Sequence, residues 1–275
     1  TLTDGTEGNA IPNNVAGRIT ETNVESKTMS FSIGDEIHTV QYDNRGYVIK
    51  NAVISSLSES LTTYAYDSYG NLLSVTAKKD GIESTQTYEY SDRWSDVLTT
   101  FDGKTITYDV AGKPSKYYDG SEFSWTAGKL AMVKKGQNRA TYSYNFEGLR
   151  DEKTVNGSYT KYIYEGSDLI AELGDDSLYY TYDGNFNLVG FEWNEENYYY
   201  QYDFLGDVIA IVDADGETCC TYSYDIWGAI QSVTGDETLA KRNPIRYRGY
   251  YYDTDTGVYY LQSRYYSSSE MCFVS

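Results

Sequence analysis

The feature that most limits how this chain can fold is a phrase that returns about every 18 to 24 residues: Tyr-Asp, two variable residues, Gly, one more residue, then an apolar one. It reads YDNRGYV from Tyr42, YDSYGNL from Tyr66, YDVAGKP from Tyr108, YNFEGLR from Tyr144, YDGNFNL from Tyr182, YDFLGDV from Tyr202 and YDIWGAI from Tyr224. Weaker copies, YSDRWSDVL from Tyr90 and YEGSDLI from Tyr164, fill gaps, and the Trp-centred FSWTAGKL splits the interval between Tyr108 and Tyr144. A period this short accommodates one supersecondary unit and no more.

The unit reads as a β-hairpin. Residues ahead of each Tyr-Asp alternate, as in NYYYQYD, where Tyr198, Tyr200 and Tyr202 share one face and Asn197, Tyr199 and Gln201 the other. Asp43, Asp67, Asp109, Asp203 and Asp225 stop the strand, because a carboxylate bonds backbone N–H groups two residues on. Gly46, Gly70, Gly112, Gly206 and Gly228 then supply the positive φ of a tight turn. A β-branched return strand follows, such as NLLSVTA or GAIQSVT. One hairpin is marginal in water, but consecutive hairpins pair edge to edge and bury a common face. The expected class is therefore all-β, tandem hairpins in one long antiparallel sheet. Tyrosine dominates the aromatics, 32 against 8 Phe and 4 Trp, as suits a half-buried pleated surface with hydroxyls seeking partners. Helical periodicity is nearly absent: LSESLTTY is too short and too rich in Ser and Thr, and SVTGDETLAKRNP reads as a polar connection.

The spacing divides the chain into an irregular start with a partial repeat (1–38), the repeat sheet (39–241), a Tyr/Arg closing block (242–266) and a divergent tail (267–275). The opening TLTDGTEG reads as disordered. It carries neither an initiator Met nor a basic and apolar leader, which suggests a piece of a longer chain. The formal charge of −19 repels phosphate backbones and anionic membranes, which argues against nucleic-acid binding. The longest apolar run, Val208 to Val212, is far below the roughly 20 residues of a membrane helix, so no membrane insertion is expected. Cys219, Cys220 and Cys272 are an odd set and read as incidental thiols.

The closing block is NPIRYRGYYYDTDTGVYYLQSRYY. Its structural residues are Asn243, Pro244, Arg246, Tyr247, Arg248, Gly249, Tyr252, Asp253, Gly257, Tyr259, Arg264, Tyr265 and Tyr266. Tyr250, Tyr252, Tyr259 and Tyr265 suit packing as plates, with Arg246, Arg248 and Arg264 stacking on rings or bonding carboxylates and carbonyls. Asp253 with Gly257 repeats the strand-to-turn grammar. Together with the repeats, this block resembles the YD repeats and Rhs-associated core of the Rhs family. That family includes bacterial polymorphic toxins, Gram-positive wall-associated proteins, the C component of insecticidal toxin complexes and teneurins. The resemblance covers about Thr39 to Tyr266. It implies a strand spiral forming part of an Rhs-type β-shell, secreted or displayed at the cell surface or wall, with a C-terminal toxin cargo as partner. Self-cleaving relatives follow RYY with an Asp-Pro-x-x-Gly-like segment. Here Arg264-Tyr265-Tyr266 runs into SSSEMCFVS, so no catalytic residue is transferred.

Other chemistry finds little support. His38 is the one histidine, too few for a zinc set, and reads as surface or sheet-lining. DADGE (Asp213 to Glu217) and DTDTG (Asp253 to Gly257) start like calcium loops, but the twelfth positions are Tyr224 and Arg264 rather than Glu. Numerous acids give chance carboxylate pairs at glycosidase spacing. No catalytic residue, metal or cofactor is assigned. The leading reading is a structural, encapsulating fragment rather than an enzyme. The alternative is an aromatic surface module binding cell-wall or host carbohydrate through Trp125, Trp193 and Trp227, and a cryptic self-protease or glycosidase ranks last.

Overall fold

The computed structural model describes residues 15–16, 18–33, 35–93 and 96–274. The opening TLTDGTEG, expected to be disordered, falls outside them. The fold is dominated by antiparallel β-sheet, and within each sheet nearly every strand pairs with its neighbours in the sequence.

Two compact units divide the repeats, one chiefly residues 16–108 and the other chiefly residues 120–275. The first holds a nine-stranded sheet running in chain order from Arg18–Asn23 to Lys104–Thr105. Regular strands thus begin well before Thr39: Arg18–Asn23, Thr28–Ile33 and Glu36–Tyr42 occupy a stretch whose lack of Tyr-Asp phrases reads as irregular. Of LSESLTTY, all but Leu57 and Ser58 belongs to the strand Glu59–Tyr66. His38 lines this sheet, 5% exposed and stacked on Phe31 with ring centroids 4.9 Å apart.

The second unit carries a sheet whose strands follow in chain order from Glu122–Thr126 to Ile230–Gly235. Its core joins Leu178, Phe191, Tyr200, Val208, Ile211 and Tyr222 to Leu239, Ala240 and Ile245, which lie beyond the last repeat. SVTGDETLAKRNP therefore departs from a plain polar connection. Glu237–Arg242 forms a short helix whose N-cap Asp236 accepts from the Thr238 and Leu239 N–H groups. Propensity misses it because its stability comes from burying Leu239 and Ala240 against the sheet. Beyond it, Tyr251–Asp253, Val258–Leu261, Arg264–Ser267 and Cys272–Phe273 form a separate four-stranded meander. The last of these strands extends regular structure into the tail after Tyr266.

Candidate functional site

The Tyr-Asp turns share one geometry. Asp43 Oδ1 accepts from the N–H groups of Arg45 (2.8 Å) and Tyr47 (2.9 Å). Asp67, Asp109, Asp203 and Asp225 bond the residues two and four positions on in the same way. Asn145 does so in YNFEGLR, where it replaces Asp. So does Asp213 of DADGE, toward Asp215 and Glu217, which makes that segment another repeat turn. Gly46, Gly70, Gly112, Gly206 and Gly228 all adopt positive φ.

The tyrosine of the phrase ties one repeat to the one before. Tyr66 donates its hydroxyl to the Val48 carbonyl (2.8 Å), Tyr202 to Leu188 (2.9 Å) and Tyr224 to Val208 (2.8 Å). Tyr108 reaches Leu98 and Tyr144 reaches Leu130 likewise. The acceptor is the apolar residue that ends the preceding phrase, at the point where the strand register shifts. A bulge leaves backbone groups short of ladder partners, and the phenol satisfies one of them. Burial pushes the hydroxyls of Tyr66 and Tyr182 up to about 12, so they stay protonated donors at neutral pH. In the Trp-centred copy, Trp125 Nε1 takes this role and donates to the Pro114 carbonyl at 2.7 Å.

The closing block grips the two turns that follow Tyr202 and Tyr224. Tyr247, Tyr266 and Tyr259 donate to the carbonyls of Ile226, Trp227 and Gly228, each at 2.8 Å. Gly228 has no room for a side chain, since a Cβ there would lie 2.5 Å from the Tyr247 ring. Arg248, itself at φ 55°, gives its N–H to Asp207 Oδ1 (2.7 Å) and its guanidinium to the Leu205 carbonyl (2.7 Å). Asn243 is fully buried: its Oδ1 accepts from the Tyr200 hydroxyl (2.9 Å), and its Nδ2 donates to the Ile245 carbonyl (2.7 Å). The Pro244 carbonyl accepts the Tyr252 N–H at 2.7 Å. Arg246 bonds the Ala240 carbonyl and lies over the Tyr222 and Tyr252 rings. Gly249 and Gly257 take positive φ in tight turns. Arg264 is exposed over Phe273, while Tyr265 is buried and shares a 2.7 Å hydrogen bond with Tyr144.

Asp253 departs from the turn grammar. Its backbone carbonyl accepts from Gly257 N (2.8 Å), but its carboxylate points inward. There Oδ2 meets Arg150 Nη1 at 2.5 Å and Oδ1 meets Lys153 Nζ at 2.8 Å, with Asp253 and Arg150 fully buried. Asp255 closes the cluster on Lys153 at 2.5 Å, so the acids of DTDTG are paired with cations. The Arg150 guanidinium carbon lies 4.4–5.3 Å from the ring centroids of Tyr142, Tyr162, Tyr251 and Tyr260. Burial pushes the Asp253 carboxyl up, yet Arg150 and Lys153 overcome it and hold the group below the usual carboxylate range. Arg150 and Lys153 lie outside the Tyr/Arg block, yet the sequence carries a signal for the first of them. Arg150 stands in the apolar slot of YNFEGLR, and a charge at a core position demands a buried counter-charge.

No group of three or more His, Cys, Asp or Glu among the described residues is arranged to hold a metal ion. The arrangement does mechanical work: it fastens a meander and a helix onto the end of a repeat sheet.

The teneurin YD-shell profile matches residues 10–271. The chain belongs to the YD-shell family. Among curated relatives it is 38% identical over 212 residues to the tRNA3(Ser)-specific nuclease WapA of Bacillus spizizenii, covering 74% of this chain and 9% of that protein. It is 37% identical to the tRNA nuclease WapA of Bacillus subtilis, with the same coverage. The YD-shell chain therefore spans about a tenth of the length of these relatives. Among solved structures, the TcdB2-TccC3-Cdc42 crystal structure matches with a TM-score of 0.68 at 19% identity, over 90% of this chain and 16% of that one. The Photorhabdus luminescens Tc holotoxin pore carrying TccC3-D651A matches at 0.66 and 16% identity, over 96% and 17%. At such identities the likeness speaks for the fold, and it agrees with a structural fragment of a YD-repeat shell.

Proposed function

We propose that this chain forms the final wall segment and closing end of an Rhs-type shell in a secreted or surface toxin, around a C-terminal toxin cargo encoded beyond Ser275. The observation that carries this reading is the grip of the closing block: Tyr247, Tyr259 and Tyr266 occupy the three successive carbonyls of the last repeat turn. A closing block seated on the last repeat turn in this way fits the end of a repeat array. Resemblance to nucleases of much greater length supports a cargo outside this chain, and the chain's own role is containment rather than catalysis. On this reading the repeat-phrase residues and the closing-block residues from Asn243 to Tyr266 are structural, and the closing block and tail are parts of one terminal module.

The carbohydrate-binding alternative rests on aromatic platforms. Trp125 and Trp193 commit their indole N–H groups to Pro114 and Asp176, and both rings are half-buried, which leaves less platform than the spacing suggests.

The test is the reading frame on both sides of the codons for Thr1 and Ser275. Further Tyr-Asp units upstream and an unrelated domain downstream are expected. A stop codon directly after Ser275 would overturn the cargo reading, and sedimentation with purified wall glycan would then decide for or against surface binding.

A further inference from the structure

One repeat turn differs from the rest. In the turn from Asp203 to Asp207, both carboxylates are buried, 2% and 5% exposed, whereas the acids at the heads of the turns beginning at Asp43, Asp67, Asp109, Asp183 and Asp213 keep contact with solvent. Asp203 Oδ1 is taken up by the Leu205 and Asp207 N–H groups, while its Oδ2 is buried without a hydrogen-bond donor. Asp207 Oδ1 accepts the Arg248 N–H at 2.7 Å, with the Arg248 Nε at 3.6 Å. The second turn of the grip is completed by the Val208 N–H donating to the Arg246 carbonyl (3.2 Å) and the Arg248 guanidinium donating to Leu205 (2.7 Å). Two buried acids thus face a single, partly exposed guanidinium at the joint between repeats and closing block.

Two adjacent buried carboxylates cannot both ionise cheaply, and one proton held between them removes the repulsion and gives the orphaned oxygen a donor. We propose that Asp203 and Asp207 form a proton-sharing pair that holds the closing block tightly to the repeats in mildly acidic surroundings and loosens it at neutral pH. The surroundings agree. Burial first, then the Asp203 charge, pushes the Asp207 carboxyl up to about 6, against the pull of Arg248, and burial raises Asp203 as well. Other groups facing Asp207 are the phenols of Tyr224 on the next repeat and of Tyr247 and Tyr259 in the closing block. All three are raised by burial and remain neutral in this range. Asp225 in the neighbouring turn is also raised by burial, so its contribution must be separated from that of the pair.

The sign follows from linkage. A carboxyl whose folded value lies above its unfolded one contributes stability that is full at low pH and is lost as pH rises through the folded value. With a folded value near 6, the joint opens about tenfold more readily at pH 7.5 than at pH 5.

Hydrogen exchange of the Arg248 and Gly249 amides in the full chain, corrected for the intrinsic pH dependence of exchange, reads this directly. Protection is expected to fall about tenfold from pH 5 to pH 7.5. Asp207→Asn removes the acid that bonds the Arg248 N–H and should leave little of this fall, whereas Asp203→Asn removes only the neighbouring charge and, with Asp207 still raised by burial, should show a reduced fall. The parent's full slope retained in Asp207→Asn, or protection that rises with pH in the parent, would overturn the proposal. Should either variant fail to fold, the carboxyl carbon of Asp207 can be titrated by NMR in the unaltered protein, where a midpoint near 4, the ordinary aspartate value, would refute it.

Discussion

Arg150 shows how much one residue can demand of a fold. A guanidinium at a repeat's apolar slot must be neutralised away from water, and Asp253 supplies the carboxylate from about a hundred residues further along the chain. Asp253→Ala leaves Arg150 buried and bare and should cost about 3–5 kcal/mol in urea unfolding, whereas Arg150→Met should cost less because Lys153 still bonds Asp253. Replacing both, as Arg150→Met with Asp253→Leu, should cost less than the sum of the single changes, because no guanidinium is then stranded and Lys153 keeps Asp255. The pair also sets an acid limit. Asp253 titrates below its unfolded value, so its contribution is present near neutrality and is lost as pH falls through the lowered value. Denaturation midpoints followed from pH 6 to pH 2 should therefore drop more in the parent than in Asp253→Asn. Gly228 makes a second demand: at φ 87°, and with an added Cβ falling 2.5 Å from the Tyr247 ring, Gly228→Ala should destabilise by roughly 2 kcal/mol or more and expose the closing block to proteolysis.

Each repeat is a hairpin held by two kinds of bond with different reach. The Asp carboxylate works inside its own turn, whereas the tyrosine hydroxyl works on the preceding unit. Tyr202→Phe keeps the ring and removes only the donor, stranding the Leu188 carbonyl, so a loss of about 1–3 kcal/mol is expected by thermal or urea unfolding. Asp67→Ala should act locally, freeing the Tyr69 and Asn71 N–H groups at an exposed turn where water can replace the lost acceptor. Its cost should be smaller than that of Tyr202→Phe. If the order is reversed, the turns rather than the hydroxyl ladder hold the repeats together. The hairpin periodicity is legible in the sequence because Tyr, Asp and Gly each answer a local backbone need. The hydroxyl ladder is less so, because its acceptors are carbonyls, which every residue possesses. The Glu237–Arg242 helix was hidden for the opposite reason: its residues carry little intrinsic signal, and the sheet beneath Leu239 and Ala240 stabilises it.

At the scale of the molecule, the nine-stranded sheet ends, among the described residues, on the strand Arg18–Asn23, and Ile37 and Ile54 face each other across neighbouring strands at about half exposure. An open strand edge and unpaired apolar side chains invite a further strand or another copy. Sedimentation over a range of concentrations should show self-association, and a single monodisperse monomer at high concentration would contradict this. Ile54→Lys is expected to reduce it.

Read alone, the sequence determined the hairpin unit, its period and the turn chemistry, because these follow from backbone geometry within a few residues. Tertiary structure decided what lies far apart in the chain and close in space: the division of the strands between two compact units, the Arg150–Asp253–Lys153 cluster, the three hydroxyls on the last turn, and the burial of Asp203 with Asp207. A spacing rule specifies which residues can turn or pair locally. Which acid is starved of water, and which cation answers it, depends on the packing of distant segments, and that is settled only when the chain folds.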